Sequence, residues 1–279
     1  MYKYILISDF DGTLCDSSCQ ISREIMEMLV SLGQKGIYRV IATGRSLYSA
    51  FQILPLEFPI DYLIFSSGAG LMNWKTKSII FSASLAKEDT TFIANVLADH
   101  HIDFMIHHPV PENHFFDYFP FNPGNQDFLN RIHHYSSFAL KSDINQYVFK
   151  EASQLLAVEP PGSDSYGELT QILNRFSVIL ATSPLDHQSK WIEIFPKHIS
   201  KAQTAHYLCN LLHINPENSM AIGNDFNDLD LLDWAKHAYV VHNAHKEIKK
   251  HYQNVSAAHE NGICEAVSHW LNQLHDISL

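Results

Sequence analysis

The stretch Ile7–Ser18, ISDFDGTLCDSS, sets two aspartates, Asp9 and Asp11, at the end of a short apolar run and just before a Gly-Thr turn. That run, Tyr4–Ser8 (YILIS), has no polar alternation, which is the pattern of a strand buried on both faces in a parallel sheet. On extended backbone, residues two apart project to the same side. Two neighbouring carboxylates repel unless a cation stands between them or one is protonated. Both solutions are chemically useful. A hard divalent ion such as Mg2+ takes one or two carboxylates and binds phosphate, and a neutral carboxylic acid can donate a proton to a leaving oxygen. The plainer alternative is a turn made by Asp11-Gly12 and capped by Asp9.

The same arrangement recurs along the chain. Ser22–Leu32 carries Ile25, Met28, Leu29 and Leu32 at helical spacing, with Gly33 as a stop. A second strand, Tyr38–Ala42, ends at Thr43-Gly44-Arg45, and Ser46–Leu54 reads as a helix. A third, Tyr62–Ser66, ends at Ser67-Gly68-Ala69-Gly70. Far downstream, Ser219–Ile222 ends at Gly223-Asn224-Asp225-Phe226-Asn227-Asp228. Alternating strands and helices predict a Rossmann-like α/β core with parallel strands, and ligands of such sheets bind at the carboxyl ends of the strands. Taken singly, each polar group has an ordinary use. Thr43 could cap a helix, Lys201 could be a solvated helix-start lysine, and Arg45 could pair with a surface acid. Asp225 and Asp228 could simply favour a helix N-terminus.

Between the third strand and Lys201 the rhythm changes to short strands with scattered helices. Residues 84–186 read as an α+β domain inserted into the first, which then comprises 1–83 and 187–279. Trp191–Phe195 returns to strand character, and Ser200-Lys201-Ala202-Gln203 has the form of a capping box. An inserted domain over the strand ends would act as a cap that excludes water and contacts substrate. Its segments His107–His114 and Pro160–Tyr166 offer candidate contact surfaces.

Composition narrows the function. The 279 residues carry 19 Lys+Arg against 30 Asp+Glu, a net charge of −11, which disfavours nucleic acid as a partner. No apolar run approaches the ~20 residues of a membrane span, and the N-terminus lacks the apolar core of a signal peptide. Four cysteines, Cys15, Cys19, Cys209 and Cys264, form no evident disulfide or zinc framework, so a reducing cytoplasm is expected. Cys15 and Cys19 could be half a metal site, but no second pair accompanies them. The 18 histidines include His242 and His245 at ligand-like spacing, which alone says little.

DFDGTL at Asp9–Leu14 resembles the first motif of the haloacid dehalogenase superfamily. Thr43 in IATGR resembles the second, Lys201 the third, and GNDFND at Gly223–Asp228 the fourth. Ser67-Gly68-Ala69 and the large insert are similar to the Cof-type phosphatases of that superfamily. The resemblance implies a Mg2+-dependent phosphatase acting on a small phosphorylated metabolite, with sugar phosphates leading. Asp9 would be the nucleophile and Asp11 the general acid and base. Thr43, Gly44, Lys201 and Asn227 would bind phosphate. The metal would take Asp9, the Asp11 carbonyl and the fourth motif, where Asp228 supports it. The family has an Asp directly after the Gly of that motif. Here the ungapped match places Asn224 there, with Asp225 as the alternative ligand. A phosphomutase or phosphotransferase with the same nucleophile, or a non-catalytic sensor of phosphorylated ligands, are the competing readings.

Overall fold

The computed structural model describes residues 3–16 and 19–277, with side chains through Leu274. In chain order the strands are β1 (Tyr4–Ser8), β2 (Ile37–Ala42), β3 (Tyr62–Phe65), β4 (Gly70–Asn73) and β5 (Ser78–Ser82). Then come β6 (Asp103–His107), β7 (Phe116–Phe119), β8 (Ala139–Lys141), β9 (Gln154–Glu159), β10 (Ser177–Thr182) and β11 (Lys190–Phe195). The last are β12 (Ser219–Gly223), β13 (His237–Val241) and β14 (Gln253–Val255).

Eight strands form one sheet in the order β14-β13-β12-β1-β2-β3-β4-β5. Pairing is parallel from β14 to β3 and antiparallel between β3 and β4. This is the α/β architecture expected. β1 sits between β12 and β2, so Ile5, Leu6 and Ile7 are almost wholly buried, as their unbroken apolar run requires. The helix Arg23–Gln34 buries Ile25, Leu29 and Leu32, and the Ser22 side chain accepts from the Ile25 N–H as its N-cap. Gly33 does not end it. The chain reverses instead at Gly36, which takes φ +73. Ser46–Leu54 shortens to the helix Leu47–Phe51, because Pro55 and the turn before it leave no room for another helical turn.

The other six strands form a second sheet in the order β10-β11-β9-β6-β7-β8. Its strands alternate strictly. Phe104, Ile106, Leu155, Ala157, Ile192 and Ile194 cluster with Ile93, Ala94 and Leu97 of the helix Lys87–Asp99. Met105, Leu156, Val158 and Trp191 cluster with Phe128 of the helix Gln126–His134. The chain divides into two compact units, one of residues 1–45, 50–81 and 200–279, the other of 46–49 and 82–199.

One strand departs from the expected division. Trp191–Phe195 was assigned to the first unit, within 187–279, but β11 lies between β10 and β9 in the second sheet. The reason is pairing: its buried side chains fit both antiparallel neighbours, and a short linker reaches Ser200 from Phe195. Nothing in an isolated apolar run distinguishes an antiparallel central strand from a parallel one.

Candidate active site

The carboxyl ends of β12, β1, β2 and β3 are brought level by register: Ser8 stands opposite both Ile222 and Ile41, and Ala42 opposite Ile64. The Asp9 N–H continues this ladder, donating to Ile222 O at 2.9 Å, and the Thr43 N–H donates to Ile64 O at 2.9 Å. Four sequence-distant loops therefore begin side by side.

At the centre is a buried ionic chain. Lys201 Nζ donates to Asp9 Oδ1 at 2.7 Å and to Asp228 Oδ1 at 2.6 Å. The lysine and Asp228 are fully buried, and Asp9 is 5% exposed. Lys201 is thus no solvated lysine. Ser200 caps its helix, accepting from the Gln203 N–H, and Gly68 fixes where that helix starts. A Cβ on Gly68 would stand 2.2 Å from Ser200 O, and its φ of +107 is open only to glycine. Thr204 Oγ1 donates to Gly68 O at 2.7 Å from the same helix.

Burial, joined by the charge of Asp228, pushes the Asp9 carboxyl up to about 7 against the pull of Lys201. Burial also works against the Lys201 ammonium, but Asp228 and Asp9 together raise it above its ordinary range. With two carboxylates facing one ammonium, the buried set carries one negative charge in excess. A cation is the natural complement.

The fourth motif divides its residues. Asp228 Oδ2 accepts from the N–H groups of Asn224 and Asp225 at 2.9 and 3.1 Å, so Asp228 shapes the loop and orients Lys201. Asp225 has contacts of its own: its carboxylate accepts from the Phe226 N–H and lies 3.3 Å from His245 Nε2. Asp225, the alternative metal ligand, has its backbone and side chain engaged in capping the turn Phe226–Asp228. His245, noted for its spacing from His242, is occupied by this contact.

Asn224 does reach Asp9. In the amide orientation that satisfies both of its ends, the nitrogen lies 3.2 Å from Asp9 Oδ2, 3.2 Å from the Asp11 carbonyl and 3.1 Å from Thr13 Oγ1. An amide N–H thus points where three oxygens converge. Turned over, the same side chain adds its own oxygen to that ring, giving the all-oxygen donor set a hard divalent ion takes. These residues fit Mg2+.

Asp11 is held differently. Arg45 Nε donates to Asp11 Oδ2 at 2.8 Å and its terminal nitrogen to Oδ1 at 2.6 Å, a bidentate pair with both side chains partly exposed. Arg45 does pair with an acid, but that acid belongs to the site. Thr43 is buried, and its Oγ1 accepts from the Arg45 N–H. It is not a helix cap, since Ser46 takes that place by accepting from the Ser49 N–H. Gly44 is exposed, and a Cβ there would stand 3.4 Å from Ser67 Oγ and 3.8 Å from Asn227 Nδ2, so these three groups border one space. Asn243 was missed: it donates to Gly12 O at 2.7 Å and accepts from the Ala258 N–H, steadying the turn after Asp11. A lone asparagine so far along the chain gives no sequence signal.

Comparison with known proteins places the chain in a family. A family model for haloacid dehalogenase-like hydrolases matches residues 6–267. The chain belongs to that family. It is 25% identical to YxeH of Bacillus subtilis (strain 168) over 281 residues, spanning 96% of this chain and 97% of that one. It is 24% identical over 284 residues to the 5-amino-6-(5-phospho-D-ribitylamino)uracil phosphatase YwtE of the same organism, spanning 95% and 96%. Its fold matches that of BT4131, a subclass IIB sugar phosphatase of the superfamily, with a TM-score of 0.73 at 17% identity over 96% and 99% of the two chains. Within the family the chain falls with the phosphatases, hydrolases of phosphoric monoesters.

Proposed function

We propose that the protein is a Mg2+-dependent phosphatase of small phosphate monoesters, sugar phosphates foremost, working through a phosphoryl group carried on Asp9. The observation that supports this most is the Asp9–Lys201–Asp228 chain, which leaves Asp9 Oδ2 facing Asn224 and the Asp11 carbonyl while Oδ1 is held by Lys201. Asp9, the Asp11 carbonyl and Asn224 would hold the ion. When bound, it offsets the repulsion between an anionic nucleophile and an anionic phosphoryl group.

The chain's own residues divide the remaining work. Asp9 attacks phosphorus in line with the leaving oxygen, forming an acyl phosphate and breaking the P–O bond to the substrate. Asp11 gives its proton to that leaving oxygen, then takes one from the water that hydrolyses the acyl phosphate. Lys201 balances charge on the phosphoryl oxygens, and Thr43, Gly44 and Asn227 supply hydrogen bonds to them. Arg45 holds Asp11 through both oxygens in this structure, so one of those bonds is released for Asp11 to carry the proton it gives. A polyol phosphate matches both the phosphoribityl compound named for YwtE and the sugars named for BT4131.

Hydrolysis of an aryl phosphate with and without Mg2+, in the wild type and in Asp9→Asn, tests the reading. Turnover that needs Mg2+ and vanishes in Asp9→Asn is expected. Undiminished turnover in Asp9→Asn would overturn it. A panel of sugar, nucleotide and cofactor phosphates then ranks the substrates.

A further inference from the structure

The turn that follows Asp9 carries a second group of ligand atoms, unused by the reaction above. A carboxylate oxygen of Asp11, Cys15 Sγ and Cys19 Sγ all lie within 4.8 Å of one another. The turn is held in shape: Asp11 and Cys15 are bridged through their backbones, and the Cys15 thiol donates to Phe10 O at 3.4 Å. Cys15 is buried, while Cys19 and Asp11 are partly exposed, so the group opens to solvent on one side.

A positive charge already rests on these atoms. The terminal nitrogen of Arg45 that contacts Asp11 Oδ1 at 2.6 Å also donates to Cys19 Sγ at 3.3 Å. A metal at this group would therefore take the place that the Arg45 guanidinium now fills. One carboxylate and two sulfurs do not suit Mg2+, which prefers oxygen. They suit a soft or borderline ion. Tetrahedral zinc has Zn–S bonds of about 2.3 Å, which place its ligand atoms roughly 3.8 Å apart, so these atoms, all within 4.8 Å of one another, would draw together on binding.

We propose that Asp11, Cys15 and Cys19 form a binding site for a thiophilic divalent cation of the Zn2+ type, separate from the oxygen-lined position beside Asp9. Binding forms two metal–sulfur bonds and one metal–oxygen bond, releases both thiol protons to solvent and displaces the Arg45 guanidinium from Asp11. A fourth position stays open to water. The ion takes Asp11 away from proton transfer, so it inhibits, and added Mg2+ does not relieve it. That consequence rests on the role proposed for Asp11, whereas binding does not.

Cobalt(II), added anaerobically to the full-length protein in excess Mg2+, is the probe. Thiolate–cobalt bonds give near-ultraviolet charge-transfer absorption that oxygen ligands do not. The band is expected to saturate at a single equivalent, to disappear on adding Zn2+, to survive in Cys209→Ser and to be lost in both Cys19→Ser and Cys15→Ala. Cys19→Ser, at the more exposed position, keeps the test sound if the buried Cys15 tolerates no change. Absence of the band in the wild type, or its survival in both variants, would overturn the site. Aryl phosphate hydrolysis at fixed Mg2+ reads the consequence: inhibition by Zn2+ should weaken by at least about tenfold in Cys19→Ser. Equal inhibition in that variant would overturn the inhibitory role, and the absorption readout stands whether or not the protein turns over any phosphate.

Discussion

Lys201 Nζ lies 2.7 Å from Asp9 Oδ1, although 191 residues separate them in the chain, and no part of the lysine meets solvent. Removing the ammonium leaves two buried carboxylates facing each other. Lys201→Met is therefore expected to cost about 3–5 kcal/mol of stability, the usual penalty for breaking a buried pair from one side. Turnover should fall about a hundred- to a thousandfold through loss of phosphoryl charge balance. Urea unfolding and aryl phosphate kinetics check the two effects separately.

Asp9→Asn should behave oppositely in stability. Burial and Asp228 already push the Asp9 carboxyl up to about 7, so its charge is costly where it stands. A neutral amide of the same shape removes that cost and leaves Lys201 its pair with Asp228. The variant should lose turnover yet melt no lower than the wild type without metal. A clearly lowered melting temperature would contradict this picture of the site.

Exchanging residues in the fourth motif tests which side chain meets the ion. Asn224→Asp adds a charge to the oxygen ring and should lower the Mg2+ concentration for half-activity by about an order of magnitude. Asp225→Ala should leave that concentration unchanged. It should cost about 0.5–2 kcal/mol, because this side chain caps the Phe226–Asp228 turn. Magnesium titrations of activity, with unfolding curves on the same samples, distinguish the two.

A histidine of the second sheet sets an acid limit. Burial, with Arg131 adding to it, pushes His107 down to about 3, while its Nδ1 faces Asn113 O at 2.8 Å. In the unfolded chain the ring titrates near 6.5. Because the folded value is the lower one, the stability due to this group is fully present above pH 6.5. It is lost as pH falls from there toward 3. His107→Gln should flatten the pH dependence of the unfolding midpoint across that window, as measured by urea denaturation at fixed ionic strength.

Much of the core was legible because its physics is local. YILIS can only be a doubly buried strand, and Asp9, Asp11, Thr43 and Gly223–Asp228 each follow such a strand directly. Lys201 was found through its motif, yet its complete burial was invisible: a helix-start lysine looks alike whether it meets water or two aspartates. Trp191–Phe195 reads from sequence as part of the first unit, yet it pairs with β9 and β10, because strand pairing depends on distant partners. Arg45 was expected to meet a surface acid, and that it meets Asp11 could be known only from the β2 loop lying beside the β1 loop. Asn224 and Asp225 are one position apart in sequence, and the Asn224 amide beside Asp9 and the Asp225 carboxylate on the Phe226 N–H became visible only with the loop's shape.

The placement of β1 between β2 and β12 also bears on synthesis. All strands of the second sheet lie between residues 103 and 195, so a ribosome that has released residue 199 has delivered that sheet entire. At the same moment β1 has β2 on one side and a bare row of amides and carbonyls on the other, since β12 begins at Ser219. The earliest strand made thus keeps one edge open until β12 follows. Until then Asp9 lacks Asp228, and an edge open to wrong pairing is the one that later holds the chemistry.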